Sequence, residues 1–397
     1  MQIQSIEISK LIPDPSNARK HSAKNLDAIK GSLAKFGQQK PIVVGKDNVV
    51  IAGNGTLEAA KALGWDKINT VRTELTGPEA IAFAIADNRS GELAEWDLEN
   101  LGASLKALGD MDFDLSAIGF DEKDLAKLVP EQIKAGLIDD DEVPEVTETR
   151  CKVGDLWQLG DHRLLCGDST NVQHVERLMD GEKADMVFTD PPYGVSYEQG
   201  KFTGNVPDKK FKPIANDELR GDSLKDFICS AIGPIPTAEG CAIYCWSPPL
   251  LEGAAILSAI VDCEWHIQSQ IVWDKKRLVL GRADYQWRHE ICWYGYKGKN
   301  HYWCGDRNQT SIWEQKRDSN YDHPTQKPVE LSERAVINSS AKDAAVYDCF
   351  LGSGSTLIAC EKTNRRCFGM EIDPHYCDVI IARWEKFTGK TATLATE

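Results

Sequence analysis

The sequence predicts an α/β fold built on a parallel sheet, in a chain of 397 residues that also carries a small α+β domain at its front. Three observations predict it. From residue 150 onward, strand-type segments alternate with helical ones (ADMVFTD, LKDFICSAIGPI, GCAIYCW, LLEGAAILSAI, HIQSQIVWDK), the pattern that builds a parallel sheet. Near the end, a strand runs into a glycine-rich loop, a helix and a second strand that ends in an acid. Between the halves, LIDDDEVPEVTETR (137–150) is acid-rich and poor in core residues, which reads as a linker with a boundary near residue 145.

Residues 1–96 carry the front domain. IEISKLIP reads as a short strand and turn, and AKNLDAIKGSLAKFG has helical spacing with Gly37 as its stop. PIVV (41–44) and NVVIAG (48–53) are short strands. TLEAAKALG is a helix that closes at Gly64, and PEAIAFAIADNRSGELAEWD opens a helix on its proline. Residues 97–149 read as small helices followed by the acidic linker. In GFDEKDLAKLV the acids fall in the first turn, where they favour the positive end of the helix dipole.

A formal charge of −15 excludes a uniformly basic nucleic-acid coat, so the distribution matters. Residues 97–148 hold fifteen acids against four lysines, while 271–317 hold ten Lys or Arg against five acids. The basic stretch also carries Trp273, Trp287, Trp293, Trp303 and Trp313. Cations interleaved with aromatics suit phosphates and unstacked bases; a tryptophan-rich core with a solvated rim is the alternative. No apolar run is long enough to span a membrane, and MQIQSIEISKLIPDP lacks a signal-peptide pattern. Twelve cysteines without a Cys-x-x-Cys pair fit a reduced, cytoplasmic protein without a metal site. Cys292, His301 and Cys304 are read as packing rather than as metal ligands.

The most informative segment is DCFLGSGSTLIACEKTNRRCFGMEID, residues 348–373. The strand AAVYDCF enters Gly352-Ser353-Gly354, a helix follows, and CFGME ends in Glu371, nineteen residues after Gly352. In a Rossmann-like unit such glycines let a ligand approach the backbone, and the acid accepts from ribose hydroxyls. The loop lacks a third fingerprint glycine and the Gly-Lys-Ser/Thr of a phosphate loop, which points to a nucleoside without a pyrophosphate.

DCFLGSGST together with FTDPPYG (188–194) resembles the S-adenosylmethionine-dependent amino-methyltransferases of DNA, and the order, DPPY before the glycine loop, resembles their β class. HPTQKPVEL (323–331), LLCGDS (164–169), QIVWDK and RHEICWYGYKG extend the resemblance over residues 150–388. It implies a Rossmann-like methyltransferase domain over 150–397, with a target-recognition insertion at about 195–320. It places Asp348, Phe350, Gly352 and Gly354 around the methionine part of S-adenosylmethionine, Glu371 on the ribose, Asp168 near the adenine, and Thr325 and Lys327 at the carboxylate end. It makes Asp190, Pro191, Pro192 and Tyr193 the catalytic element. Asp190 and the Pro191 carbonyl would accept from the two hydrogens of an exocyclic amine, the prolines would hold the turn without adding a donor, and Tyr193 would offer a stacking face. Lys201, Lys209, Lys210 and Lys212, with Lys275, Arg277 and Arg282, are the expected DNA contacts.

Residues 1–96 resemble the N-terminal domain of ParB partition proteins, related to sulfiredoxin, through LIPDPSNARKH, SLAKFGQQKPIVV and IAGNGTLEAAKALG. The chain has Gly53-Asn54-Gly55-Thr56-Leu57-Glu58 where partition proteins carry an acid and arginines, which puts nucleotide binding in question. Residues 1–150 hold no cysteine, against sulfiredoxin chemistry. The reading is a site-specific DNA methyltransferase acting on the N6 amine of adenine, of the kind found in restriction–modification. N4-cytosine methylation, and a DNA-binding regulator with an inactive methyltransferase fold, stay open. Double-stranded DNA is the implied partner, with a second copy of the chain as a further candidate.

Overall fold

The computed structural model describes residues 2–121, 124–125, 128, 133–193, 215–279, 284–315 and 327–395. The chain divides into two compact units, Met1–Pro130 and Glu131–Glu397. Among the described residues, no helix is long and apolar enough to cross a membrane.

The first unit holds strands β1 (Ile3–Glu7), β2 (Ile12–Pro13), β3 (Ile42–Val44), β4 (Val49–Ala52) and β5 (Lys67–Arg72) in one mixed sheet, ordered β1-β5-β3-β4-β2. Helices α1 (Ala23–Phe36), α2 (Asn54–Ala62), α3 (Gly77–Leu93) and α4 (Leu98–Gly109) accompany it. Ser22 caps α1 by accepting from the Asn25 amide at 3.2 Å, and Gly37 ends it. Ile42, Val44, Val50, Leu57 and Ile68 form a small core.

The second unit is built on ten strands. They are β6 (Leu156–Leu159), β7 (His162–Cys166), β8 (Ala184–Thr189), β9 (Thr237–Ser247), β10 (His266–Val279), β11 (Trp287–Tyr296), β12 (Ile312–Glu314), β13 (Ala345–Asp348), β14 (Arg366–Glu371) and β15 (Thr393–Leu394). Their order is β12-β10-β11-β9-β8-β13-β14-β7-β6-β15. The central block β9-β8-β13-β14-β7 is parallel. The flanks are mostly antiparallel: β11 pairs with β9 and β10, and β6 with β7. The helices are α5 (Val172–Met179), α6 (Gly221–Ile232), α7 (Leu250–Asp262), α8 (Val329–Ser339), α9 (Ser355–Lys362) and α10 (Pro374–Thr388). Alternate strand residues feed two cores. Met186, Phe188, Tyr244 and Trp246 join α8, α9 and α10, while Val187, Ile243 and Cys245 join α5, α6 and α7. Both faces are therefore covered, which is why the central strands read as near-continuous apolar runs.

The acidic run expected to act as a linker is seated on the second unit. The Leu137 amide donates to the Phe387 carbonyl at 2.9 Å, and Ile138 packs on the main core. Asp140 pairs with Lys362 at 2.5 Å, and its carbonyl accepts from Arg383 at 2.7 Å. Asp141 accepts from the Val329 amide at 2.9 Å, at the start of α8. Two of the charges that made this run look unstructured, Asp140 and Asp141, are met by Lys362 and Arg383, more than two hundred residues away.

Candidate active site

Four neighbouring parallel strands end at the same edge of the sheet. Tyr347 lies opposite Val187, Asp348 opposite Gly369, and Glu371 opposite Cys166. This brings Asp190, Asp348, Glu371 and Asp168, each at or just beyond the carboxyl end of its strand, to one crevice. The chain reverses its order across the sheet there, since β8 lies between β9 and β13, and such a switch point is where open α/β sheets bind ligands.

At the end of β8, the Lys327 ammonium is bonded to Asp190 Oδ2, lies 3.2 Å from Glu290 Oε2 and donates to the Tyr193 hydroxyl at 3.0 Å. Glu290 also pairs with Lys275 and accepts from Tyr193 at 3.3 Å. Two carboxylates and two ammonium groups thus form a near-neutral cluster, which is how buried charges are tolerated. Lys327 is only 8 % exposed, and burial would lower its pKa, but Asp190 and Glu290 together hold it above its ordinary value. Burial pushes the Asp190 carboxyl up against the pull of Lys327. At Glu290 burial acts the same way but loses to Lys327 and Lys275, which bring the carboxyl down to about 2. Asp190 Oδ1 is buried without a hydrogen-bond partner among the described residues.

The glycine loop is braced from both sides. Asp348 accepts from the Thr356 hydroxyl at 2.7 Å and from the Phe350 amide at 3.1 Å, and burial raises it to about 6. Glu371 accepts from the amides of Gly352 and Asp373, both at 2.9 Å, and burial raises it to about 7. Arg383 donates to the Ser353 carbonyl at 2.8 Å. The two glycines differ in duty. Gly352 has φ 56°, and the space where a side chain would begin is open, so a ligand can reach its backbone. Gly354 has φ 86° and lies tight against Ile380, so it serves helix packing. Asp168 is half-buried and accepts from the amide and hydroxyl of Thr170 at 2.9 and 2.8 Å. Phe350 meets the Phe227 ring at 5.7 Å.

The structure brings together Asp190, Tyr193 and Lys327, and separately Asp348, Gly352 and Glu371. Lys327, expected at the cofactor carboxylate, is bonded in the structure to Asp190. The structure also turns Lys275, expected on DNA, inward onto Glu290 and over the Trp273 ring at 5.2 Å, where a free ammonium would be needed for a phosphate. Trp273 and Trp313 are core residues, so for them the alternative of a tryptophan-rich core holds. Cys292 is buried in the same core, and no cluster of metal ligands occurs among the described residues. Thr325, Lys201, Lys209, Lys210, Lys212 and Arg282 lie outside the described residues, as does the side chain of Arg277. Glu290 escaped the sequence reading. Its one signal was an acid within the otherwise apolar strand EICWYGY.

A family model described as DNA methylase, covering N6 and N4 enzymes, matches residues 184–383. The ParB N-terminal domain matches 1–89, and a ParB-methyltransferase HTH domain matches 99–152. Among curated relatives, the type II methyltransferase M.HpaI of Haemophilus parainfluenzae is 24% identical over 253 residues, 58% of this chain and 76% of the relative. The putative methylase YubD of Escherichia coli strain K12 is 26% identical over 217 residues, 54% and 86% of the two chains. The solved M1.HpyAVI–SAM complex aligns with 55% of this chain and 98% of its own, at 18% identity and a TM-score of 0.42. With Asp190 at the end of β8, the glycine loop after β13 and a family match over half its length, the chain belongs to the N6/N4 DNA methylase family.

Proposed function

We propose that the chain transfers a methyl group from S-adenosylmethionine to the N6 amine of adenine in double-stranded DNA. The observation that carries this reading is the asymmetry of Asp190, with Oδ2 held by Lys327 and Oδ1 buried and bare. A buried acceptor left without a donor is costly, and an amine hydrogen is the donor it lacks. The Pro191 carbonyl serves as the second acceptor, and the proline nitrogens bring no competing N–H. Tyr193 supplies a ring for the base, with Lys327 5.3 Å from its centroid.

The amine of adenine is a poor nucleophile because its lone pair is delocalised into the ring. Two fixed acceptors favour the tetrahedral nitrogen in which that pair is released, so positioning and preorganised charge supply the rate. Asp190, already raised by burial, is placed to hold the proton that the nitrogen gives up. S-adenosylmethionine, when bound, supplies a methyl on a sulfonium centre open to direct displacement. The crevice fits it: open space beside Gly352, an acceptor for ribose hydroxyls in Glu371, and Asp168 and Phe350 at the borders. A stacked, paired amine cannot reach Asp190, so the target base must be turned out of the duplex. The match over 99–152 supports a share in DNA reading for a region whose sequence reads as small helices and an acidic linker.

The test is transfer of labelled methyl to duplex DNA by wild type and Asp190→Ala, with cofactor binding followed by calorimetry. Asp190→Ala should abolish transfer and keep the dissociation constant within about three-fold, because Glu371 and the glycine loop, rather than Asp190, hold the cofactor. Lost affinity with intact turnover would contradict the assignment.

A further inference from the structure

Among the described residues of the second unit, the most exposed large apolar side chains are Tyr285 at 89 %, Leu251 at 81 % and Leu250 at 74 %. All three lie at the end of the sheet where Asp190 stands. Strands β8 and β9 are parallel with Thr189 opposite Cys245, so the two chains leave the sheet side by side. One leaves as Asp190-Pro191-Pro192-Tyr193, the other as Ser247-Pro248-Pro249-Leu250-Leu251. Strand β11 is antiparallel to β9 with Ile291 opposite Ser247, which puts Tyr285, just before its start, at the same end.

A single exposed leucine is ordinary; two in succession at the lip of a reaction site need a reason. The backbone adds a second observation. Leu250 has φ 69°, a left-handed conformation that costs a bulky L-residue energy and that persists only where the surroundings impose it. Leu250 opens helix α7 directly after Pro249, and the Ser247 hydroxyl ties the loop by donating to the Pro248 carbonyl at 3.1 Å. A strained turn thus keeps two apolar side chains in water, directly beside the strand end that carries Asp190.

We infer that Leu250 and Leu251 form a wedge that enters the DNA base stack beside the target base and fills the space it vacates. The inference rests on the reading that the chain methylates a base turned out of duplex DNA. Any base that reaches Asp190 Oδ1 brings its stacked neighbours to the lip of the site, so the apolar surface these leucines meet is base stack. An inserted apolar side chain replaces lost stacking and keeps water from the gap, so the paired duplex opens at lower cost.

The test uses the full chain and a synthetic duplex containing the site that wild type methylates, mapped beforehand on plasmid DNA. The duplex is made in two forms, with the target base paired and with it opposite an abasic site, where no pair has to be broken. The variant L250A/L251A should lose about ten-fold or more in kcat/KM on the paired duplex and less than about three-fold on the abasic one, with cofactor affinity unchanged. L251A alone, which leaves the strained position untouched, should show the same preference at smaller size. Equal losses on both duplexes, or no loss on either, would overturn the wedge. Conversion of a dimer to a monomer in sedimentation, with kcat/KM unchanged, would overturn it too and give the leucines to a contact between copies of the chain. A wild type that methylates no DNA at all would instead sink the reading on which the wedge rests.

Discussion

Lys327 closes on one oxygen of Asp190 and leaves the other without a hydrogen-bond partner among the described residues. The lysine comes 137 residues after the acid and arrives through the turn before α8, where the Ser355 hydroxyl donates to the Lys327 carbonyl at 2.9 Å and Asp141 caps Val329. Lys327→Gln removes the counter-charge, so burial and the nearby Glu290 should push the Asp190 carboxyl still higher. The acid limb of the kcat/KM profile should move to higher pH, with a loss of about ten-fold per pKa unit below it. Cofactor affinity measured alongside decides the role of Lys327. An unchanged value agrees with the observed partner, whereas a collapse would restore the lysine to the cofactor carboxylate.

Glu290→Gln should act with the opposite sign. The negative charge of Glu290 raises Asp190, and its loss leaves Lys327 and Lys275 to favour the Asp190 carboxylate. The acid limb should shift to lower pH while kcat falls, because Lys327 is no longer shared between two charges and the Tyr193 hydroxyl keeps only a neutral acceptor. A shift to higher pH would show that Glu290 does not act through this cluster.

Much of this was legible in the sequence. DPPY and the glycine loop each join a strand end to a turn of defined chemistry, so their placement at the carboxyl edge of the sheet follows from local order. The alternation of strand and helix carried the central sheet for the same reason. Glu290 and the Asp140–Lys362 and Asp141–Val329 links were not legible, because each depends on partners brought together only by the folded sheet. The tryptophans misled in part: a basic, aromatic-rich composition looks the same whether Trp273 faces water or the core.

With Glu371 as the proposed ribose acceptor, cofactor binding should depend on pH. Burial holds the Glu371 carboxyl at about 7, against the amides of Asp373 and Gly352 that favour the charge. Hydroxyl donors from a ribose also favour the charged form, so affinity for S-adenosylmethionine should rise by about ten-fold from pH 6 to pH 8. The linkage to folding has the reverse sign. A carboxyl raised in the folded chain contributes stability below the ordinary carboxylate range, and that contribution is lost as pH climbs toward 7. Glu371→Gln should flatten the affinity profile, and titration calorimetry across this window checks it.

The acidic strap bears on where the catalytic half can be cut. A fragment starting at residue 131 keeps Ile138, Asp140 and Asp141, whereas one starting at 146 loses them. Losing one helix cap and one half-buried isoleucine is worth about 2 kcal/mol, or about 4–8 °C in Tm for a unit of this size. Thermal unfolding of the two fragments should show that gap. Equal Tm values would mean that residues 131–145 act as a linker, as their composition predicts.

The most direct test of the central claim is nucleoside analysis of DNA after incubation with the full chain and S-adenosylmethionine carrying a labelled methyl group. Asp190, with one oxygen held by Lys327 and the other without a partner among the described residues, predicts an amine-methylated nucleoside, N6-methyladenine on the reading proposed above, and no labelled nucleoside with Asp190→Ala. Label in N4-methylcytosine would contradict the assignment to adenine, and no labelled nucleoside from wild type would contradict the proposed activity itself.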